Sequence, residues 1–585
     1  MEYVVFALAL GAFFLVIFIM EAIRARKQKK AFLQYLYNDY EKIIEKDYPL
    51  ERFEKMGSFF KRHKKIGQLD DITWNDLGMD EIFKRMNYTL SASGEEYLYY
   101  TLRTLHQEDA SMEHLEEMIQ FFGSHPDERV QVQLHASRLG YMGKYSLYDY
   151  LDNLDLLGTR SNKKHILLDL LFLPFIGLLW VKFQVGIMGI VLLTIYNILT
   201  YFKEKSEIDP YITSFSYIMR LMHECGELVN IPIPVCKEEW GKIQAARKQL
   251  LAMRQNSYWV MSPQRGNASG DVLAVLMDYI RMIFHVDLIK FNSMLMVLKG
   301  HREDVDTLIQ VTGSLETAIS IWAFRKSLEN KEDTSGGMER EELPQGQKRG
   351  WCIPEFICHK DKPGFAFSVE IEEGFHPLLA SPVKNSISTH KGVLLTGSNA
   401  SGKSTFLKTV AINAILAQTI HTCTADGYKA PYFHVYSSMA LRDDIGSGES
   451  YYIVEIKALK RILDAAFAGT GPILCFVDEV LRGTNTIERI AASTQILKSL
   501  SDSNILCFAA THDIELTELL KDDFENYHFE EDVREGDVFF NYKLQSGKAT
   551  TRNAIKLLSL MGYRQEIIEK AAAQAEHFAA TGVWT

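Results

Sequence analysis

Only seven cysteines occur in 585 residues: Cys225, Cys236, Cys352, Cys358, Cys423, Cys475 and Cys507, with no C-x-x-C spacing among them. That scarcity excludes a disulfide framework and a cysteine-built zinc site. Cys475 and Cys507 lie in apolar, strand-like runs and read as reduced, buried thiols. A basic excess is missing as well. The net charge is −11, so no whole-protein positive field draws in nucleic acid, and any such contact needs a local patch. Internal repeats are absent. What remains is globular in composition, 47% hydrophobic and 24% charged, and long enough for three or four domains at roughly 100–200 residues each.

Two stretches depart from that globular background. Tyr3–Met20 is almost uninterruptedly apolar and just long enough to span a bilayer, and Arg24, Arg26, Lys27, Lys29 and Lys30 follow it. A secretory signal carries its positive charges before the apolar run. Here they come after it, so an anchor is expected with residue 1 outside and residue 30 in the cytoplasm. Ile166–Phe202 is the second stretch, flanked by Lys163, Lys164 and His165 on one side and Lys203 and Lys205 on the other. Its length suits two spans joined by a tight turn near Lys182-Phe183-Gln184. Asp169 and Pro174 weaken the first arm and leave a re-entrant or tilted helix as the alternative. Asp169 lies near the cytoplasmic end and reads as structural. The expected location is a multi-pass place in the inner or plasma membrane, with the bulk of the chain cytoplasmic.

The periodicity between and after these blocks is helical. Phe32, Tyr35, Leu36, Tyr40, Ile43 and Ile44 recur at helical spacing with charged faces opposite. Val272–Leu298 resembles a further span, but Asp278, Arg281, His285, Asp287 and Lys290 interrupt it. The spacing predicts one amphipathic helix with a polar stripe. Asn330–Gly350 is polar and patternless, a linker. The expected segments are an anchor over 1–30, a helical region over 31–160, a membrane hairpin over 161–205, a second helical region over 206–329, a linker over 330–350, an α/β domain over 351–545 and a helical end over 546–585.

Chemistry concentrates in the α/β part. Gly392–Thr396 reads as a buried strand feeding Gly397-x-x-x-x-Gly402-Lys403-Ser404, with a periodic helix from about Thr405. That is a P-loop in its strand–loop–helix setting. Gly397, Ser398, Asn399, Ala400, Ser401, Gly402, Lys403, Ser404 and Thr405 are the expected nucleotide ligands. Backbone N–H groups and the helix N-terminus take the phosphates, Lys403 reaches the β/γ-phosphates, and Ser404 ligates Mg²⁺. Further on, Asp443-Asp444-Ile445-Gly446-Ser447-Gly448-Glu449-Ser450 caps a helix-like run. Ile473–Val477 is a strand ending in Asp478-Glu479, suited to hold Mg²⁺ and to orient water. Arg482–Thr486 reads as a turn, and Ile505–Ala510 is a strand ending in Thr511-His512-Asp513, where a histidine can polarise a γ-phosphate.

GSNASGKST, DDIGSGESYYIVE, FVDEVLRGTNT and ATHDIELTEL together resemble the ATPase domain of the MutS mismatch-repair family, a branch of the ABC ATPases. His376-Pro377 and YKLQSG at Tyr542–Gly547 fit as well, and LDDITWNDLGMDEIF is similar to part of that family's helical core. The resemblance implies α-helical core and lever domains, with transmembrane helices here, followed by an ABC-type P-loop α/β ATPase: an α plus α/β multidomain fold. It implies ATP and Mg²⁺ as cofactors, Asn399 on the γ-phosphate, Asp478 serving Mg²⁺, Glu479 as general base and His512 as switch histidine. It also implies Ser450 completing the partner subunit's site in trans, hence a homodimer, with Asn553–Phe578 as a dimerising end.

The sequence also departs from the family. Some forty residues separate the anchor from the core-like region, too few for the domain that wedges a Phe into a mismatch. Gly57-Ser58-Phe59-Phe60-Lys61 carries Lys61 where that wedge has Glu, and reads as a helix face. Tyr451-Tyr452 stands for the usual Thr-Phe, and Leu481 for a usual Gly. The expected function is a membrane-anchored dimeric ATPase that moves levers on double-stranded or branched DNA without reading mismatches. The basic run Lys61-Arg62-His63-Lys64-Lys65 is one candidate phosphate contact. The alternative is a nucleotide-driven membrane scaffold whose partner is a protein.

Overall fold

The computed structural model describes residues 2–40, 42, 46–142, 146–158, 160–254, 272–333, 350–357, 367–398, 401–439, 451–469, 471–482, 484–501, 504–534, 537–549, 555, 562–581 and 583. The chain forms two compact units. One comprises residues 1–64, 87–100 and 116–323; the other comprises 65–86, 101–115 and 324–585. These units cut across the sequence segments, because 65–86 and 101–115 join the C-terminal unit rather than their neighbours in the 31–160 region.

The first unit is helical. Helix α1 (Glu2–Asn38) continues unbroken through the basic run that follows the apolar stretch. The second apolar block forms α2 (Lys163–Leu170), α3 (Phe172–Val181) and the long α4 (Phe183–Leu228). The chain steps at Leu171, three residues before Pro174, whose missing N–H leaves the Leu170 carbonyl without its helical partner. It reverses at Lys182, at φ −141° and ψ 81°, inside the expected turn. In α4, added Cβ atoms at Gly186 and Gly189 would meet the Leu179 backbone nitrogen at 2.8 Å and the Phe175 ring at 2.1 Å. Glycine therefore lets α3 and α4 lie close. No boundary falls at residue 205, since α4 runs through it and continues past Pro210.

Val272–Leu298 is not one helix. It breaks into α5 (Val272–Phe284) and α6 (Val286–Gly300) at His285, whose φ is +49°. Nor is its polar set a solvated stripe, because Arg281, His285 and Asp287 are all buried. His285 Nε2 meets the Asn197 carbonyl at 2.8 Å and its Nδ1 meets His165 Nδ1 at 2.9 Å. Asp287 accepts from Tyr201 Oη at 2.9 Å and Lys205 Nζ at 2.8 Å. These partners on α2 and α4 let the polar residues of α5 and α6 face inward, which periodicity cannot foresee. Phe59 and Phe60 are buried in the helix Leu50–Arg62 and Lys61 is exposed, so the wedge-like Gly57–Lys61 is part of a helix whose aromatic face is core. Helix α7 (Arg302–Asp333) supplies Glu316 to this unit.

The second unit holds two sheets. The smaller orders its strands β1 (Glu355–Phe356), β5 (Gly427–Ala430), β2 (Val369–Gly374) and β3 (Asn385–Thr389). The larger runs β10 (Asp537–Ser546), β9 (Phe524–Arg534), β4 (Gly392–Thr396), β8 (Ile505–Ala510), β7 (Ile473–Asp478) and β6 (His434–Ser438). Strands β9, β4, β8, β7 and β6 are parallel, and β10 is antiparallel to β9. Every residue of β4 and β8 is buried, the signature of a parallel sheet covered on both faces. Cys475 and Cys507 face each other across β7 and β8 as free, buried thiols. The unit's longer helices include α8 (Lys403–Ile420), α9 (Tyr451–Phe467), α10 (Thr486–Ser499) and α11 (Gln565–Thr581).

The segment LDDITWNDLGMDEIF belongs to this unit and secures its edge. Asp76 accepts from Ser437 Oγ at 2.8 Å and from the Met439 N–H at 2.9 Å, just where β6 ends. Arg461 on α9 donates to Asp70 at 2.8 Å and to the Ser437 carbonyl at 2.6 Å.

Candidate nucleotide site

In an open parallel sheet, chemistry collects at the carboxyl ends of the strands. Adjacent strands β4, β8 and β7 end at Thr396, Ala510 and Asp478, and so bring the P-loop, His512 and Asp478-Glu479 to one edge. Two glycines shape the loop. Gly397 has φ +145°, and a Cβ there would lie 2.9 Å from the Phe529 carbonyl. Gly402, at φ +108°, precedes α8, and a Cβ there would press the Tyr542 ring at 3.2 Å. Side chains at either position would fill the cradle that phosphates need.

Lys403 is buried, and its Nζ donates to the carbonyls of Gly397 and Ser398, each at 2.7 Å. Ser404 Oγ donates to Asp478 Oδ2 at 2.5 Å. Burial pushes the Asp478 carboxyl up, with the Ser404 hydrogen bond opposing. Its Oδ1 is buried with no hydrogen-bond partner among the described residues. A hydroxyl beside a carboxylate with one oxygen orphaned is the donor set a hard cation takes, so these residues fit Mg²⁺.

Glu479 accepts from His512 Nε2 at 2.9 Å and pairs with Arg482. Burial pushes its carboxyl up, but the His512 hydrogen bond and the charges of Arg482 and Lys403 hold it below the usual carboxylate range. The proton on His512 Nε2 follows from that partner. Glu479 sits at φ +53° and Leu481 at φ +58°, left-handed conformations that cost non-glycine residues roughly 1–3 kcal/mol each. The turn persists because its surroundings fix it. The Glu479 N–H reaches the Ala510 carbonyl at 2.9 Å, and Val480 and Leu481 are buried in the core under the sheet.

A cavity of about 620 Å³ opens beside these groups. The P-loop, Glu479 and Arg482 form one wall; His376, Leu379, Val383, Asn385, Phe529 and Tyr542 form the other. Asn385 on β3 donates to the Tyr542 carbonyl at 2.9 Å and accepts from the Leu544 N–H at 2.8 Å, holding a β-bulge in β10 with Tyr542 at φ +53°. Burial, with Lys408 nearby, pulls His376 down to about 4, so its ring is neutral near pH 7.

Of the expected ligands, Gly397, Ser398, Ser401, Gly402, Lys403, Ser404, Asp478, Glu479 and His512 come together here, with Thr405 in the cavity wall. Asn399, Ala400 and the Asp443–Ser450 loop, with Ser450, lie outside the described residues, as does the 334–349 part of the linker. Arg482, Asn385 and Tyr542 were not legible as site residues. Asn385 and Tyr542 are 157 positions apart and meet only through the strands that carry them.

Residues 393–579 match the family model MutS domain V. The chain is similar to proteins named DNA mismatch repair protein MutS. That of Thermus thermophilus is 31% identical over 224 residues, 37% of this chain and 27% of the relative. That of Pseudothermotoga lettingae is 34% identical over 187 residues, covering 31% and 23%. That of Lactobacillus acidophilus is 29% identical over 249 residues, covering 40% and 28%. The match thus spans about a quarter of each relative's length. This C-terminal region, with its P-loop, Asp-Glu strand end and histidine strand end on neighbouring strands, is similar to MutS domain V over residues 393–579.

Proposed function

We propose that the chain is a membrane-held, homodimeric, Mg²⁺-dependent ATPase of MutS type that converts ATP hydrolysis into movement of its helical regions. One observation carries this reading: Lys403, the Ser404–Asp478 pair and the Glu479–His512 pair converge on one cavity at the ends of three adjacent strands. Lys403 exchanges its two carbonyl partners for β/γ-phosphate oxygens. Ser404 and Asp478 would hold Mg²⁺, which would supply neutralisation of the charge that develops in transfer. Glu479, kept ionised, takes the proton of the attacking water. A carboxylate has about four lone-pair sites, so the bonds to His512 and Arg482 leave room for that water. To present its Nε2 N–H to the γ-phosphate, His512 has to release the Glu479 carboxylate that now accepts it. Tyr542 and His376, which line the cavity, offer ring faces to the base. Ser450 serves the partner's nucleotide in trans, which makes the dimer the active form.

The membrane part of the proposal is supported by two helices long and apolar enough to cross, Lys163–Val181 and Phe183–Leu228. Apolar side chains on them face outward: Leu173 is 62% exposed, Trp180 91% and Leu199 66%. With α1 they make three spans, with the remainder cytoplasmic. A cysteine replacing Glu2 or Phe183 is expected to react with an impermeant thiol reagent in intact cells, and one replacing Arg340 is not. Labelling at Arg340 alone overturns the topology.

The names of the relatives favour DNA as the ligand of the levers, held by backbone contacts that do not read mismatches. A second reading, a protein partner, is favoured by the basic run. Arg62 is already paired with Asp152, and His63 with Asp306 at 2.8 Å, which leaves fewer free cations for phosphates. Competition binding of the full chain in nanodiscs to homoduplex, G·T-mismatched and four-way-junction DNA separates the two. A tenfold preference for the mismatch, about 1.4 kcal/mol, overturns the first; no binding to any of the three favours the second. The ATPase reading itself is tested by phosphate release from the full chain in detergent. Release is expected to require Mg²⁺ and to vanish in Lys403→Ala, and a wild-type chain that binds ATP without releasing phosphate overturns it.

A further inference from the structure

We infer that Glu455 is a positioning residue for hydrolysis, its carboxylate on α9 holding the left-handed turn that aims Glu479. The inference rests on the ATPase reading above. Glu455 is half-buried in the second turn of α9, and accepts the backbone N–H of Leu481, next to Arg482. These two residues close the turn that begins at Glu479. Left-handed φ at both Glu479 and Leu481 means the turn does not hold itself, since neither residue is glycine.

Each backbone group along it is tied to a different element. The Glu479 N–H goes to β8 through the Ala510 carbonyl at 2.9 Å. The Val480 carbonyl accepts from Ser493 Oγ on α10 at 3.3 Å. The Leu481 N–H goes to Glu455. An ionised acceptor makes the stronger kind of bond, and burial pushing the Glu455 carboxyl up is opposed by the Leu481 N–H, as a carboxylate committed to a backbone donor should show. Without it, the Leu481 N–H loses its partner. The turn can then relax toward φ below zero, carrying the Glu479 carboxylate away from His512 and re-aiming Arg482, which pairs with that carboxylate. Glu455 touches neither nucleotide nor water in this scheme. It acts only through the geometry of Glu479.

The test uses the full chain with saturating Mg-ATP. Glu455→Ala is expected to lower kcat roughly 10- to 100-fold, the scale for misplacing a catalytic group by about 1 Å, with nucleotide Kd within about twofold of wild type. Glu455→Gln keeps a carbonyl acceptor and should recover most of the rate. In a Glu479→Gln background, Glu455→Ala should cost nothing further, because its effect passes through the carboxylate already lost. Should Glu455→Ala fail to fold, Glu455→Asp carries the test: it keeps the charge, shortens the reach, and is expected to lower kcat with Kd unchanged. Wild-type kcat in the Ala or Asp variant overturns the inference, as does an equal further loss in the Glu479→Gln background. A wild-type chain that releases no phosphate overturns the ATPase reading instead.

Discussion

Two acids, a buried one in the helical unit and a partly buried one in the sheet unit, are solvated by the protein in opposite ways. Glu316 in the helical unit is 5% exposed and saturated. It accepts the Leu90 N–H at 2.7 Å, the Ser91 N–H at 3.1 Å and the Ser91 hydroxyl, at the start of the helix Ala92–Arg103. Asp478 in the sheet unit has one oxygen on Ser404 and the other unpaired. Burial pushes both carboxyls up. Only the second keeps unused acceptor capacity beside a cavity. A saturated buried acid holds structure together; an unsaturated one at a strand end is available to a ligand.

Breaking the second kind should be felt first in chemistry. Glu479→Gln is expected to retain ATP binding and lower turnover about 10²- to 10⁴-fold, the range for loss of a general base. The ATP-bound variant should accumulate as a closed dimer in size-exclusion chromatography, and turnover at the wild-type rate would remove Glu479 from its role. Breaking the first kind should be felt in stability. Glu316→Ala removes the acceptor of two backbone N–H groups and one of the Ser91 hydroxyl's partners, and should cost roughly 3 kcal/mol in denaturant unfolding. Asp478→Asn in a chelating buffer should be neutral or stabilising by about 1 kcal/mol, since it removes a partly unpaired, partly buried charge. Equal losses in the two variants would dissolve the contrast.

Leu481→Gly sharpens it further. Glycine relieves about 1 kcal/mol of left-handed strain but forfeits a 2%-exposed leucine, worth about 2–5 kcal/mol. The net expectation is a loss of about 2 kcal/mol, and a gain in stability would show that strain outweighs packing there. The smallest effect is one of pH. The depressed Glu479 carboxyl contributes stability above its unfolded value of about 4.3 and loses it only as pH falls through the lower folded value. Turnover should therefore show no acid limb from Glu479 between pH 8 and 5, checked by comparing the wild-type kcat profile with that of Glu479→Asp.

Much of the catalytic edge was legible because its information is local. A β-branched run, a glycine spacing, an Asp-Glu after ILCFV and a histidine after ILCFAA each announce a strand end. The helical region was legible in type but not in detail. The break at His285 and the inward turn of His285 and Asp287 depend on Asn197, Tyr201 and Lys205 of another helix, and no periodicity within 272–298 contains those partners.

The sequence by itself determined the P-loop, the three strand ends, the reduced thiols and the apolar hairpin with its reversal at Lys182, because each rests on short-range sterics or on the length of an apolar run. Tertiary structure alone decided that 65–86 and 101–115 belong with the sheet unit, that Asn385 and Tyr542 share one cavity wall, and that Glu455 reaches the turn beyond Glu479. Those outcomes depend on strand order and on side chains meeting across tens to hundreds of positions. Such meetings are settled by which buried polar groups find partners once the elements pack, a condition no local window of sequence can state.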